Sequence, residues 1–346
     1  MKALRIREYI ESLTDFIKII NDTSFNTNDK TNYRSDKPSL ESLRNVSDVV
    51  DDRSITAEAF WNIIREEHRD WYSYYFYMAY MDSNYFDHVY YYRGQADIDY
   101  IDSVSPGIYR KKEKKEEQYY LNEMRVRCSS VFSSLNGLGE LTYLQHYGCP
   151  TRLLDITSNP LVALYFACCD KKDKDGVVYI FKAKKKDVLY ENSDRVQLLS
   201  KLPELTKKQQ NTIMYNSYRY LLKGKFPQVT SGKYRDVEVE QYYHLIARSN
   251  PSFDREIKPL DLLTPVFVQS RKDNPRILKQ DGAFILCGLD IDGDDSNFKL
   301  QKYICTTIII PKGCKRRIEE ELERICITKA HLFPEVDKVA EYLKEC

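Results

Sequence analysis

What most constrains this chain is how its short apolar runs are spaced. Four runs are dominated by β-branched and aromatic residues and read as strands: VVYIFKA at 177–183, VFVQS at 266–270, AFILCGL at 283–289 and ICTTIII at 304–310. A fifth, HVYYYRG at 88–94, is rich in Val and Tyr and stops at Gly94. Helical stretches lie between these runs without a steady strand–helix–strand rhythm. That spacing predicts a mixed α+β fold rather than a repeating βαβ one.

The helical stretches divide the chain. Ile6, Tyr9, Ile10, Leu13, Phe16, Ile17 and Ile20 recur at helical spacing and predict an amphipathic helix over 3–20. Residues 21–55 are rich in Asn, Asp, Ser and Thr and read as a polar linker. Ala57 to Met81 is long and aromatic enough for a helix with one buried face. Further helices are predicted over 113–135, over 141–148 with a stop at Gly148, and along LVALYFACC after Pro160. Others follow over 315–325 and, starting at Pro334, over 334–345. Residues 187–257 are helical, Lys-rich and Tyr-rich and carry no chemical motif. The expected organisation is an N-terminal helix and linker over 1–55, then one domain over 56–346 with an insertion at about 187–257.

Composition removes several function classes. The 346 residues carry 53 Lys and Arg against 52 Asp and Glu, which argues against a whole-surface grip on nucleic acid. Nine cysteines, an odd number with no CxxC spacing and with Cys168 and Cys169 adjacent, suit reduced thiols in a cytoplasmic protein. The five histidines form no HxxxH pair, so no metal is expected. MKALRIREYIESL lacks a signal-peptide apolar stretch, and no run approaches membrane-spanning length, so no membrane association is expected.

Three segments carry more polar chemistry than folding alone requires. Tyr92-Arg93-Gly94-Gln95 ends a strand with an arginine and a glycine. This suits recognition of a phosphate or carboxylate with close backbone approach, or else a surface ion pair beside a turn. In the second segment, Gln145, His146, Thr151, Arg152, Asp155, Thr157, Ser158 and Asn159 are compressed between two helices. Asn159 or Ser158 would cap the second helix, whose N-terminus makes an anion site. The other account is a buried network pinning helices to a sheet; His146 suits a packed histidine better than a general base. In the third, Arg276 and Gln280 precede Asp281-Gly282 and an apolar strand, a bend beside a ligand or simply a turn.

Together and in this order, the segments resemble the FRG domain family, named for its (F/Y)RG motif. YYRGQAD resembles that motif, LTYLQHYGCPTRLLDITSNPLVALYFAC the family's central signature, and RILKQDGAFIL its later R-x-x-x-Q-x-G-x-F segment. ESLTDFIKII and HLFPEVDKVAEYLK are similar to its N-terminal helix and its closing LFP helix. The resemblance implies bacterial or phage origin and roles in phage defence or toxicity. More distantly, the order of elements resembles the ADP-ribosyltransferase fold, which implies a split sheet holding NAD, with ADP-ribosyl transfer or NAD cleavage as its reaction. By that resemblance Tyr92, Arg93, Gly94, Gln95, Gln145, His146, Arg152 and Asn159 hold the nucleotide, and Gln280, Asp155 and Thr151 supply the catalytic positions, with Thr157 an alternative to Thr151. The acceptor is a macromolecule or water. Gln280 stands where a Glu is expected, and the nearest carboxylate pair, Glu238 and Glu240, reads as one face of a strand within the insertion. The alternative is a non-catalytic module that senses a ligand or a protein.

Overall fold

The computed structural model describes residues 6–21 and 88–345, apart from short stretches at 102–103, 111–114, 222, 224, 230–231, 254–255, 273, 290–299 and 302. The predicted linker and the helix over 57–81 lie outside the described residues.

A mixed eight-stranded sheet organises the chain. In chain order its strands are β1 (Ile6–Tyr9), β2 (His88–Gln95), β3 (Leu153–Thr157), β4 (Gly176–Lys184), β5 (Val188–Tyr190), β6 (Val266–Gln269), β7 (Gly282–Leu286) and β8 (Ile304–Ile310). Across the sheet they run β1-β8-β4-β2-β3-β7-β6-β5. The outer pairs β1–β8 and β5–β6 are parallel and the inner ones antiparallel. One seam is different. β2 pairs with β4 along its whole length but meets β3 only at Tyr92 and Thr157. Beyond that contact the two strands part.

Two helical groups cover the same face of the sheet on either side of this seam. Over β2, β4 and β8 lie α1 (Leu13–Asn21), α5 (Pro160–Cys168) and α11 (Lys315–Glu323). Tyr92, Val178, Ile180 and Ile308 pack there against Val162, Leu164 and Ile318. Over β3, β7 and β6 lie α2 (Glu117–Arg127), α3 (Ser129–Phe132), α4 (Leu138–His146), α6 (Asp194–Ser200), α7 (Lys207–Tyr220), α8 (Val237–Ser249) and α9 (Pro259–Leu263). Three short elements complete the chain: α10 (Pro275–Lys279), α12 (Lys329–Leu332) and α13 (Val336–Glu345). The opposite face of the sheet buries Tyr91, Ile156, Tyr179 and Ile285.

The structure corrects several expectations. The helix over 3–20 is two elements: Ile6–Tyr9 hydrogen-bonds alongside β8, and the helix starts only after Ser12, whose hydroxyl accepts the Asp15 N–H. Apolar residues recur at helical spacing through both, yet Tyr9 at the end of the strand is exposed while Ile10, Leu13 and Phe16 are buried. Residues 113–135 split into α2 and α3. LLDIT, not anticipated as a strand, is β3. Glu238 and Glu240 sit in α8, not on a strand, and two residues apart on a helix they point about 200° apart, so they share no face. Residues 187–257 give the sheet only the edge strand β5, yet Val196, Leu199, Ile213 and Tyr242 are continuous with the core under Leu153 and Leu286.

Candidate functional site

Between the two helical groups, above the β2–β3 seam, lies a cleft of about 250 Å³. Tyr92, Arg93, Gln145, His146, Asp155, Phe166, Arg276 and Gln280 are among the residues lining it.

Arg93 reaches this cleft in an unusual way. It pairs across β2–β4 with Tyr179, so its side chain starts on the far face of the sheet. Because β2 and β3 have separated here, the guanidinium lies in the gap, where Nη1 donates to the Asp155 carbonyl oxygen at 2.7 Å. The Asp155 carboxylate is 4.0 Å away, and the Arg93 side chain is 17% exposed. An arginine has five N–H donors, and among the described residues Arg93 makes this one hydrogen bond. Burial lowers its pKa, the Asp155 charge opposes that, and Arg110 adds to it.

Gly94 serves a purpose other than ligand approach. A Cβ at this position would lie 1.8 Å from the Ala163 carbonyl oxygen and 2.8 Å from the Ala167 nitrogen. The glycine admits the α5 backbone against β2, which seats the helix forming one wall of the cleft.

The central segment supplies the floor and the other wall. Thr151 is fully buried; its hydroxyl accepts the Leu153 N–H at 3.1 Å and donates to Gln145 Oε1 at 2.6 Å. Gln145 Nε2 then donates to Asp155 Oδ2 at 2.9 Å. Thr157 donates to the Gln280 carbonyl at 2.7 Å and accepts the Asn159 N–H at 2.9 Å. The Asn159 side chain caps α5 by accepting the Leu161 N–H and also reaches Asp281 Oδ2 at 3.2 Å. Of the N–H groups at the helix N-terminus expected to receive an anion, this cap takes that of Leu161.

Arg152 stands apart from the cleft. Its guanidinium is buried against Glu117, with Nε and Nη2 at 2.8 and 2.7 Å from Oε2, while the Arg152 backbone N–H donates to Oε1 at 2.7 Å. Gln210 accepts from Nη2 at 3.1 Å. This buried network pins the start of β3 to α2 and α7, and of the four residues expected to share such a network (Gln145, Thr151, Arg152 and Asp155) it includes only Arg152. Gln95 does not line the cleft either; its amide donates to the Asp97 carbonyl.

The C-terminal segment closes the remaining side. The Arg276 guanidinium lies over the Phe333 ring at 4.6 Å, and Phe333 meets Phe166 edge-on. Gln280 Nε2 donates to the Leu332 carbonyl at 3.0 Å, and His146 Nε2 is 3.5 Å from Glu335 Oε1. Burial lowers the His146 pKa, with Arg276 adding to the effect and Glu335 opposing it. Gln280 and Asp281 lie in the turn before β7, with Asp281 at φ 47°. Arg276 lines the cleft although the family resemblance assigns it no role; its signal in the sequence is its position one turn before Gln280.

Arg93, Gln145, Asp155 and Gln280 thus line one cleft although they are far apart in the chain. A family model described as the FRG domain matches residues 88–176. The chain carries an FRG domain. The matched region runs from the start of β2 to the first residue of β4, so it contains Arg93, Gln145 and Asp155. Arg276, Gln280 and Phe333 close the cleft from outside the matched region of the FRG domain. No curated protein and no solved structure matches the chain at a significant level. Among the described residues there is no group of three or more His, Cys, Asp and Glu that could hold a metal ion, and no helix long and apolar enough to cross a membrane.

Proposed function

We propose that this FRG domain binds a phosphate-bearing nucleotide, NAD or a close relative, in the cleft over the β2–β3 seam. The carrying observation is the hydrogen-bonding state of Arg93: a guanidinium that lines the cleft with one acceptor among the described residues and a carboxylate at 4.0 Å. Guanidinium N–H groups left without a protein acceptor beside a cleft can donate charge-assisted bonds to an anionic ligand. Arg276, whose guanidinium lies over the Phe333 ring, adds a second cation to the same cleft. Planar guanidinium groups suit phosphate oxygens bidentately. At about 250 Å³ the cleft takes a phosphate with its sugar, and the rest of a dinucleotide lies at its open mouth. The parting of β2 from β3 supports the split-sheet, ADP-ribosyltransferase-like reading.

Cleavage of the nicotinamide–ribose bond is the reaction that reading implies, and in a cytoplasmic setting it would serve phage defence or toxicity. Gln280 favours a second reading, a ligand-sensing module without turnover, because its amide is tied to the Leu332 carbonyl and carries no charge to stabilise a developing cation. Calorimetric titration with NAD, ADP-ribose and GTP tests the binding. Heats from NAD and ADP-ribose that are lost in Arg93→Lys are the expected outcome, and no binding of any of the three overturns the proposal. Release of free nicotinamide from NAD separates turnover from sensing.

A further inference from the structure

The geometry points to Asp155 as the acceptor for a ribose cis-diol, oriented by the Thr151–Gln145 pair; this rests on the cleft being a nucleotide site. The orientation follows from a chain of hydrogen bonds whose direction is determined at each step. The Asp155 carboxylate can only accept, so the Gln145 amide nitrogen faces it and leaves Oε1 to accept the Thr151 hydroxyl proton, while the hydroxyl oxygen accepts the Leu153 N–H. The amide nitrogen donates to Oδ2 at 2.9 Å. Gln145 Nε2 also lies 3.4 Å from the Leu153 carbonyl, which keeps the amide in plane with the start of β3. Thr151 is completely buried, so this positioning does not depend on solvent.

The carboxylate so held is open. The Asp155 side chain is 60% exposed and lines the cleft, with Oδ2 taken once by Gln145 and Oδ1 accepting nothing among the described residues. A carboxylate offers about four acceptor sites on its two oxygens. What can occupy them is limited by what surrounds them. Arg93, Arg276 and His146 face the same cleft, which disfavours a cationic ligand at Asp155. A phosphate belongs at the arginines and is repelled by the carboxylate. A neutral donor with two adjacent hydroxyls satisfies both oxygens at once, and a ribose attached to a phosphate presents such a pair at short range. Acidic side chains recognise ribose hydroxyls in this way on unrelated nucleotide sites. Asp155 is then a binding residue, and Thr151 and Gln145 are positioning residues.

The test compares ADP, 2′,3′-dideoxy-ADP and inorganic pyrophosphate by titration calorimetry on the full chain and on Asp155→Asn and Thr151→Val. The unmodified protein is expected to bind ADP at least tenfold more tightly than the dideoxy analogue. Asp155→Asn is expected to remove that preference while leaving pyrophosphate affinity unchanged or raising it, because a repelling charge is gone. Thr151→Val is expected to weaken ADP severalfold without weakening pyrophosphate. Equal affinity of the unmodified protein for ADP and its dideoxy analogue overturns the assignment without requiring any variant to fold. So does an Asp155→Asn protein that loses pyrophosphate as much as ADP, or pyrophosphate binding without ADP binding. Failure of NAD, ADP-ribose, GTP, ADP and pyrophosphate alike overturns the nucleotide site itself.

Discussion

Arg93 and Arg152 both flank β3, yet they live in opposite electrostatic conditions. Arg152 is 1% exposed and ion-paired with Glu117, with a further bond to Gln210, and only its buried Nη1 lacks a partner among the described residues. Arg93 has one carbonyl acceptor, a distant carboxylate and a route to solvent through the cleft. In Arg152 the charge is spent on holding elements together. In Arg93 most of the donor capacity is still available. The comparison teaches that an arginine in a polar motif is assigned by what its N–H groups already bond, not by its neighbours in sequence.

Removing Arg152 has the largest expected effect. Arg152→Met leaves Glu117 buried without its cation and is expected to cost about 3–5 kcal/mol in urea unfolding, since a broken buried pair strands a charge. Pairing it with Glu117→Leu should recover a large part of that loss. A single variant with native stability and lost nucleotide binding would place Arg152 with the ligand and end the distinction.

Gly94→Ala sharpens the contrast between the two neighbours in the Arg-Gly pair. The added Cβ collides with the α5 backbone, which must move, so overpacking should cost about 1–3 kcal/mol. Thermal melting without ligand reads this, and an unchanged melting temperature would mean that α5 does not need the glycine.

Arg93→Lys is expected to act on affinity instead. An ammonium lacks the planar fork, and losing a charge-assisted contact of about 1.5–3 kcal/mol weakens binding roughly ten- to a hundredfold. Melting should change little. A large stability loss with unchanged affinity would make Arg93 a second Arg152.

The smallest effect concerns pH. Burial and Arg276 hold the His146 pKa below its usual value, so the unfolded chain binds this proton more readily than the folded one. Stability from this group is full above the unfolded pKa of about 6.5 and falls as pH drops through the folded value. His146→Gln should flatten the melting temperature between pH 7 and pH 5. A steeper profile in the variant would reverse the sign assigned here.

Local sequence carried a good deal of this. VVYIFKA, AFILCGL and ICTTIII are strands because β-branched runs pack on a pleated surface, and Asn159-Pro160 starts α5 because a side-chain cap and a missing N–H suit a first helical turn. The FRG resemblance over residues 88–176 was legible because YYRGQAD and the LTYLQHYGCPTRLLDITSNPLVALYFAC signature are each contiguous in the chain. β1 and β3 were not legible, since four or five residues show too little periodicity and their partners lie on β8 and β7. The third dimension alone decided the rest. Glu117 lies 35 residues from Arg152, Phe333 is distant from both Arg276 and Phe166, and the parting of β2 from β3 is a property of neither strand by itself. Composition and motif determine which polar groups a chain holds. Which of them are already paired depends on chain segments that meet only in the fold, and that pairing separates Arg93, on the cleft, from Arg152, buried against Glu117.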